Sequence, residues 1–515
     1  MERVSNPVSE IDRWFNSEVI RWRRFAAVVW TTLVTSPIVY ATIAVANINP
    51  FHLLNWITES LLFVCTAWTW SYVVVSMLTL LLLSRLIGNT LMVVPVIHVN
   101  RWEKIVNILH PRCLYFVFSF GIMCSIITWC YVRLVAGVYH SLSSPCSHHS
   151  SRICLNEHHL FIVLHGFYVG FVYSFTGRLT RQNYVVFPII QQSKFFQMKS
   201  SILSLMLTSI YVTLSRLRYF YVLYYLLLGS AIKGFLAKKF DLSQSHDEAA
   251  INSLSGMLDA SLLWHCALSG SLLHFLLSLT TKIHKLYHTE WYHFPVETSV
   301  EQYKNLCLHN ALCCERNSLI QYHSYQDLYL LSRHSLHRRL QLFSLTHLGG
   351  HPQNWIQVSK ECLHLLTTFT EELATYNNKI MANGNITYVG SEKNALTFGL
   401  ELGRYLFISP ILSIIEDIKS EDKFGVVQKS LPQIIESILM LQEQVEKHLR
   451  LVPNISKHFD RGNNKASDLP LRGALKITMK TAMYRIVDRF GEHIKSVPLS
   501  GEHQRYLKNF IDYKE

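Results

Sequence analysis

The chain has 515 residues, half of them apolar and only 16% charged, with a net charge of +13. An ordinary soluble chain of this size is more highly charged, so a purely soluble globular protein is excluded, while the length admits two or more domains. The positive charge gathers beside apolar runs, where it sets topology and meets anionic lipid head groups; no direct nucleic-acid partner is expected.

Residues 1–24 form a basic tail. Ile11, Trp14, Phe15, Val19 and Trp22 recur at helical spacing, with Arg13, Arg21, Arg23 and Arg24 around them. The pattern suits a short helix lying on the membrane surface or a plain juxtamembrane collar, and its shortness favours the collar. The apolar run 25–46 is too long for a signal-peptide core and lacks a small-residue cleavage site, so it is expected to remain as a first span. It carries no charge and exceeds the roughly 20 helical residues that a bilayer core requires. Further spans are expected at 61–84, 113–132 and 159–177. Arg216 and Arg218 interrupt the next apolar stretch, which places the fifth span at 217–235, with Lys233 snorkelling and 201–215 as a separate interfacial or buried helix. A sixth span is expected at 258–279.

Lys and Arg are frequent in the tail, in loops 85–112 and 178–200, and after residue 280, whereas loop 47–60 has none and 134–158 has only Arg152. The positive-inside rule therefore puts both termini on the cytosolic side. Cys146 and Cys154 then face an oxidising lumen, which favours a disulfide over two free thiols, or over zinc bound with His148, His149, His158 or His159.

Residues 287–515 read as a soluble α-helical domain. Trp355, Val358, Cys362, Leu365, Phe369 and Leu373 make one apolar stripe. A second runs through Val427, Leu431, Ile434, Ile438, Leu441, Val445 and Leu449, and a third through Leu475, Met479, Met483, Ile486 and Phe490. Ser430 and Gln433 form a capping-box pattern with Pro432 in the first turn. Residues 377–395, rich in Asn and Gly, read as a loop.

No phosphate-binding loop, nucleophile elbow, HExxH helix or dinucleotide fingerprint is present, so no enzyme, catalytic residue, cofactor or metal is expected. His165, His265 and His274 lie within spans without a mid-span carboxylate to complete a proton relay, and read as interhelical hydrogen-bonding groups. Gly166 and Gly170 form a GxxxG pair expected to mark close helix packing. Cys307, Cys313 and Cys314 read as core or surface thiols. The string GGHPQNW (349–355) reads as a sharp turn into a helix.

Several long strings carry a family likeness: CLNEHHLF (154–161), FPIIQQSKF (187–195), GGHPQNW (349–355), SKECLHLL (359–366), DKFGVVQKSLP (422–432) and LKITMKTAMYRIVDRFGEH (475–493). With FHLLNW (51–56) before the second span, they fall in order over nearly the whole chain. The chain resembles the Ndc-type transmembrane nucleoporins. The resemblance implies an all-α, six-span protein of the nuclear envelope that anchors the pore complex in the pore membrane and supports its assembly. Its implied partners are inner-ring nucleoporins, an aladin-type WD-repeat nucleoporin, nuclear membrane lipids and further copies of itself. Relatives can carry a long Ser/Pro-rich insert in the tail, of which 377–395 is the remnant here. Expected docking elements are the turn of Gly349, Gly350, His351, Pro352 and Trp355, and the helices bearing Phe424, Val427 and Leu431 and bearing Tyr484, Arg485 and Phe490. A membrane transporter or channel is the alternative.

Overall fold

The computed structural model describes residues 7–48, 56, 58, 66–93, 101–135, 139–145, 153–180, 182–188, 191–225, 229–240, 259–298, 305–314, 316–344, 352–382, 426–451, 468–491, 494 and 497–512. In chain order the helices are α1 (Pro7–Trp14), α2 (Arg21–Ala46), α3 (Ala67–Thr90), α4 (Arg101–Leu109), α5 (Pro111–Leu134), α6 (Glu157–Leu179), α7 (Lys194–Leu223), α8 (Gly229–Phe240) and α9 (Ala260–His288). After these come α10 (Leu308–Leu312), α11 (Ser318–His334), α12 (Leu336–Leu342), α13 (Gln353–Ala382), α14 (Val426–Leu451), α15 (Asp468–Phe490) and α16 (Gly501–Ile511). A π-helical segment, Phe15–Ile20, separates α1 from α2. The all-α expectation holds, with one small antiparallel ribbon, β1 (Ser143–Pro145) and β2 (Ile153–Leu155), in which Ser144 pairs with Cys154. Cys146 and the side chain of Cys154 lie outside the described residues, and so does their expected disulfide.

Two compact units emerge, one of residues 20–92 and 105–290, the other of residues 1–19, 93–104 and 291–515. In the first, the helix ending at Ala46 and helices α3, α5, α6, α7 and α9 are each long and apolar enough to cross a membrane, six among the described residues. Helix α9 is the hub and packs against α2, α3, α5, α6 and α7. Polar pairs fix its rotation among otherwise interchangeable apolar faces. His265 Nδ1 lies 3.3 Å from the Tyr131 hydroxyl on α5, and His274 Nδ1 3.1 Å from Ser209 Oγ on α7. Thr281 Oγ1 lies 3.0 Å from the Tyr173 hydroxyl on α6, and His284 Nε2 2.8 Å from Ser84 Oγ on α3. Two of the three histidines singled out from the sequence thus bond between helices. The third, His165, is buried against the Phe220 ring without such a bond. Helices α5 and α6 meet at the GxxxG pair: a Cβ on Gly166 would fall 2.1 Å from Thr128 Oγ1, and one on Gly170 2.5 Å from the Phe120 carbonyl oxygen.

The fifth long apolar helix differs from expectation. Residues 201–215 and 217–223 belong to a single helix, Lys194–Leu223, rather than to two. Arg216 does not end it, because its guanidinium is accommodated beside α6, with Nη2 3.5 Å from Thr176 Oγ1. Lys233 does not snorkel either. Its side chain is 8% exposed and pairs with Glu157 at 2.7 Å, so a carboxylate at the start of α6 neutralises it in place.

In the second unit the N-terminal segment is part of the core. Ile11 and Phe15 are fully buried, and the Phe15 ring packs against Tyr292, Phe294 and His323. Asn305 Nδ2 donates to Glu10 Oε2 and Asn317 Nδ2 to Asp12 Oδ1, both at 2.9 Å. The apolar face of the tail is therefore committed to protein, not to a membrane surface, while Trp22, further along on α2, is exposed. Close by, Asp327 on α11 is wholly buried and saturated. It accepts two bonds from Arg338, both at 2.7 Å, one from His293 Nδ1 at 2.9 Å and one from the Phe294 backbone N–H at 2.9 Å. Arg338 also donates to the Phe294 carbonyl, so the ion pair clamps residues 293–294 onto α11 and α12.

Candidate partner-docking groove

Helices α13 and α14 pack side by side in parallel, start against start and end against end, along an apolar seam. Trp355, Val358, Cys362, Leu366, Phe369 and Leu373 bury against Leu431, Ile434, Ile438, Leu441 and Val445. Leu366 takes the buried place expected of Leu365, which is half-buried. A spacing of 3–4–4–3–4 keeps six residues on one face where an unbroken alternation of 3 and 4 would drift off it. Burial raises the Cys362 thiol, so the seam holds it as an inert thiol. Polar ties close both ends. At one, Asn377 Nδ2 donates to the Gln444 carbonyl at 3.0 Å and Asn377 Oδ1 lies 3.0 Å from His448 Nδ1. At the other, Trp355 Nε1 donates to Ser430 Oγ at 3.3 Å. Asn377 is thus in a helix that continues to Ala382; the part of the expected loop at 383–395 lies outside the described residues. Helix α14 starts at Val426, which puts Pro432 inside it and makes Ser430 a partner for Trp355, not an N-cap.

The start of α13 is held from behind. Asn354 Nδ2 donates to the Gln341 carbonyl and to Glu297 Oε2, each at 3.3 Å, and Ser344 Oγ donates to the same Glu297 oxygen at 3.0 Å. The Phe343 and Trp355 rings lie 5.4 Å apart. Above this floor is an open groove of about 640 Å³, lined from α13 by Pro352, Trp355, Ile356, Ser359, Lys360, Leu363, His364 and Thr367 and from α14 by Lys429, Ser430 and Gln433. Ile356, Lys360, His364 and Lys429 are exposed, and among the described residues no carboxylate lines the groove. A buried tryptophan under an apolar floor with a basic rim suits reversible capture of an acidic segment carrying an apolar anchor.

The expected docking residues divide. Pro352 and Trp355 come together with the first turns of α14 in this groove. Leu431 faces the seam and is buried. Gly349, Gly350, His351 and Phe424 lie outside the described residues, as does the side chain of Val427. Tyr484 is half-buried and packs edge-on against Phe510 of α16 at 5.1 Å, Phe490 is half-buried and Arg485 exposed. Lys476 of α15 pairs with Glu446 of α14 at 3.0 Å. A second concavity of about 480 Å³ between residues 494–497 and α16 is lined by Leu507, Lys508 and Ile511 among others. The rim lysines were not singled out from sequence, since a lone lysine on a helix carries no signal until its neighbours in space are known. Among the described residues no three His, Cys, Asp or Glu side chains cluster as a metal site; Cys307 and Cys314 are buried and Cys313 half-buried.

Compared with known families, residues 19–395 and 419–508 match the sequence profile of the nucleoporin protein Ndc1-Nup family. The chain belongs to the Ndc1-type nucleoporin family. Similar relatives are the nucleoporin NDC1 of Mus musculus, 28% identical over 96% of this chain and 97% of the relative, and that of Homo sapiens, 27% identical over 99% of each. The nucleoporin NDC1 of Danio rerio is 25% identical over 98% of this chain and 99% of its own length. The alignment to the mouse nucleoporin spans 661 positions against 515 residues here, so this relative has segments that the present chain lacks. The family match pauses between 395 and 419, beside the stretch expected to be the remnant of an insert. This Ndc1-type nucleoporin thus combines six helices long and apolar enough to cross a membrane with a helical unit that carries the groove.

Proposed function

We propose that the chain is a membrane anchor of the nuclear pore complex. Six spans seat it in the pore membrane with both termini on the cytoplasmic side, and the helical unit docks inner-ring nucleoporins and an aladin-type WD-repeat protein. The observation that carries the proposal is the joining, in one Ndc1-type nucleoporin, of six apolar helices to a basic, apolar-floored groove. The role is mechanical: hydrocarbon burial fixes the first part of the chain and the groove supplies a site for acidic, apolar partner segments. Membrane lipids and further copies of the chain complete the expected partners. The transporter reading gains no support from His265 and His274, whose side chains are engaged in bonds between helices.

The test uses the full-length protein in lipid nanodiscs with purified inner-ring nucleoporins. Replacing both Lys360 and Lys429 with Glu reverses the rim and is expected to weaken binding at least about tenfold while leaving the melting temperature unchanged. Undiminished binding by this variant would overturn the assignment of the groove. Loss of the intact protein from the nuclear rim in cells is not expected of a groove variant if the spans alone hold it in the membrane.

A further inference from the structure

Helix α4 carries Trp102, Ile105, Val106 and Leu109 at positions i, i+3, i+4 and i+7, the spacing of one helix face. These side chains are 73, 45, 52 and 57% exposed. Four large apolar residues on a nine-residue helix make a continuous stripe, unlike the scattered single apolar residues found on any protein surface. The stripe does not continue into α5. His110 leaves helical geometry at φ −57°, ψ 134°, and caps α5 afresh: its carbonyl accepts from the N–H of Cys113 at 2.8 Å and of Leu114 at 3.1 Å, and its Nδ1 from the N–H of Arg112 at 3.3 Å. The chain thus turns a corner within a single residue.

What lies against the stripe follows from that connection. Helix α5 is one of the six helices apolar enough to cross a membrane. A nine-residue helix is about 13 Å long at 1.5 Å per residue, so with His110 as the link no part of α4 is further than about 20 Å from the start of α5. Tryptophan is favoured at the boundary between hydrocarbon and water, and an exposed apolar stripe so near that boundary buries itself in it. The local charge agrees: Arg101, Lys104 and Arg112 stand against Glu103 alone, which favours an anionic surface. We infer that α4 lies in the plane of the membrane, with Trp102, Ile105, Val106 and Leu109 inserted into the leaflet from which α5 descends and anionic phospholipid as its ligand. The inference rests on the reading of α5 as a span. A helix inserted into one leaflet adds area to that leaflet alone, so it favours bilayers that bend towards it.

The test is photocrosslinking of the full-length protein in vesicles of phosphatidylcholine and phosphatidylserine. Photoreactive benzoylphenylalanine is placed in turn at position 106 on the stripe, at 107 on the opposite face, and at 122 on α5, where Ile122 is 52% exposed. Lipid acyl-chain adducts are expected from 106 and 122 and several-fold fewer from 107. Adducts at 122 but not at 106, or crosslinks from 106 to a second copy of the chain, would overturn the inference and leave the span intact. Absence of acyl adducts at both 106 and 122 would overturn the spanning reading and the inference with it. A Trp102→Glu, Val106→Glu variant is expected to stay carbonate-resistant in the membrane while losing the wild-type preference for small vesicles over large ones; an unchanged preference would overturn the claim that α4 favours curved bilayers.

Discussion

Asp327 has no hydrogen-bonding capacity left: both carboxylate oxygens accept from Arg338 and each takes one further donor. Replacing it with Asn removes the charge but not the volume, and strands a largely buried guanidinium. The expected cost is about 3–5 kcal/mol, read as a lowered melting temperature of the solubilised full-length protein, whereas a loss below about 1 kcal/mol would mean that the pair is worth no more than a surface bridge. Nothing in the string around Asp327 announces this, because its partners are a residue eleven positions on and a turn some thirty positions back. His309 is a second case. Burial pushes it below the ordinary histidine range, and the Glu361 carboxylate pulls partly the other way. The unfolded chain takes up a proton there near pH 6.5 and the folded chain only lower, so stability falls as the pH drops from about 6.5 through the folded value. In a His309→Gln variant the drop in melting temperature between about pH 7.5 and pH 5.5 should shrink; an identical drop would remove His309 as a source.

At the scale of elements, the packing of α5 on α6 depends on glycines with no room for a side chain. A Cβ at Gly170 would lie 2.5 Å from the Phe120 carbonyl oxygen and 2.8 Å from Cys124 Sγ. Gly170→Val should therefore force the helices apart and lower the melting temperature by the equivalent of about 1–3 kcal/mol. Gly234 on α8 has open space around its Cα, and Gly234→Ala should be neutral or add up to about 1 kcal/mol. Equal effects at the two sites would refute close packing as the cause. The GxxxG pair was legible because spacing alone carries that signal. Apolar runs likewise announced five of the six long helices, since a helix that must meet hydrocarbon has little freedom in composition. The fifth differs because Arg216 and Arg218 look like breaks in an apolar stretch, yet an arginine inside a bundle can reach polar atoms on a neighbour that the sequence does not reveal. Pro432 misled in the same way: proline opens helices more often than it interrupts them, and α14 accommodates it in its interior.

For the whole molecule, the proposed orientation, with an even number of spans and the basic loops in the cytosol, puts the soluble tail outside the lumen. The sequons at Asn385 and Asn454 should then stay unmodified in cells, and a glycosidase-sensitive mass shift at either would reverse the proposed orientation. Charge proposes such an orientation, whereas the assignment of residues 1–19 and 93–104 to the same unit as 291–515 has no signal in the sequence. The tail of residues 1–24 was legible as an amphipathic helix, but its apolar face has two destinations open to it, lipid or protein. The choice is made by Tyr292, Phe294 and His323, which lie more than half the length of the chain away. The rim of the groove was hidden for the same reason, since Lys360 and Lys429 share it only once the starts of α13 and α14 lie side by side.

That long reach has a cost in time. Asn317 bonds Asp12 across 305 positions, so at 5–20 residues per second the ribosome needs roughly 15–60 s after making the acceptor before the donor exists. For that interval Ile11 and Phe15 have left the exit tunnel with no core to enter, while the helices that follow them are being delivered to the translocon. The nascent protein must shield its own beginning until the chain is more than half made, and a bulky tag or a slow-translating stretch placed there would tax biogenesis long before it touched any finished assembly.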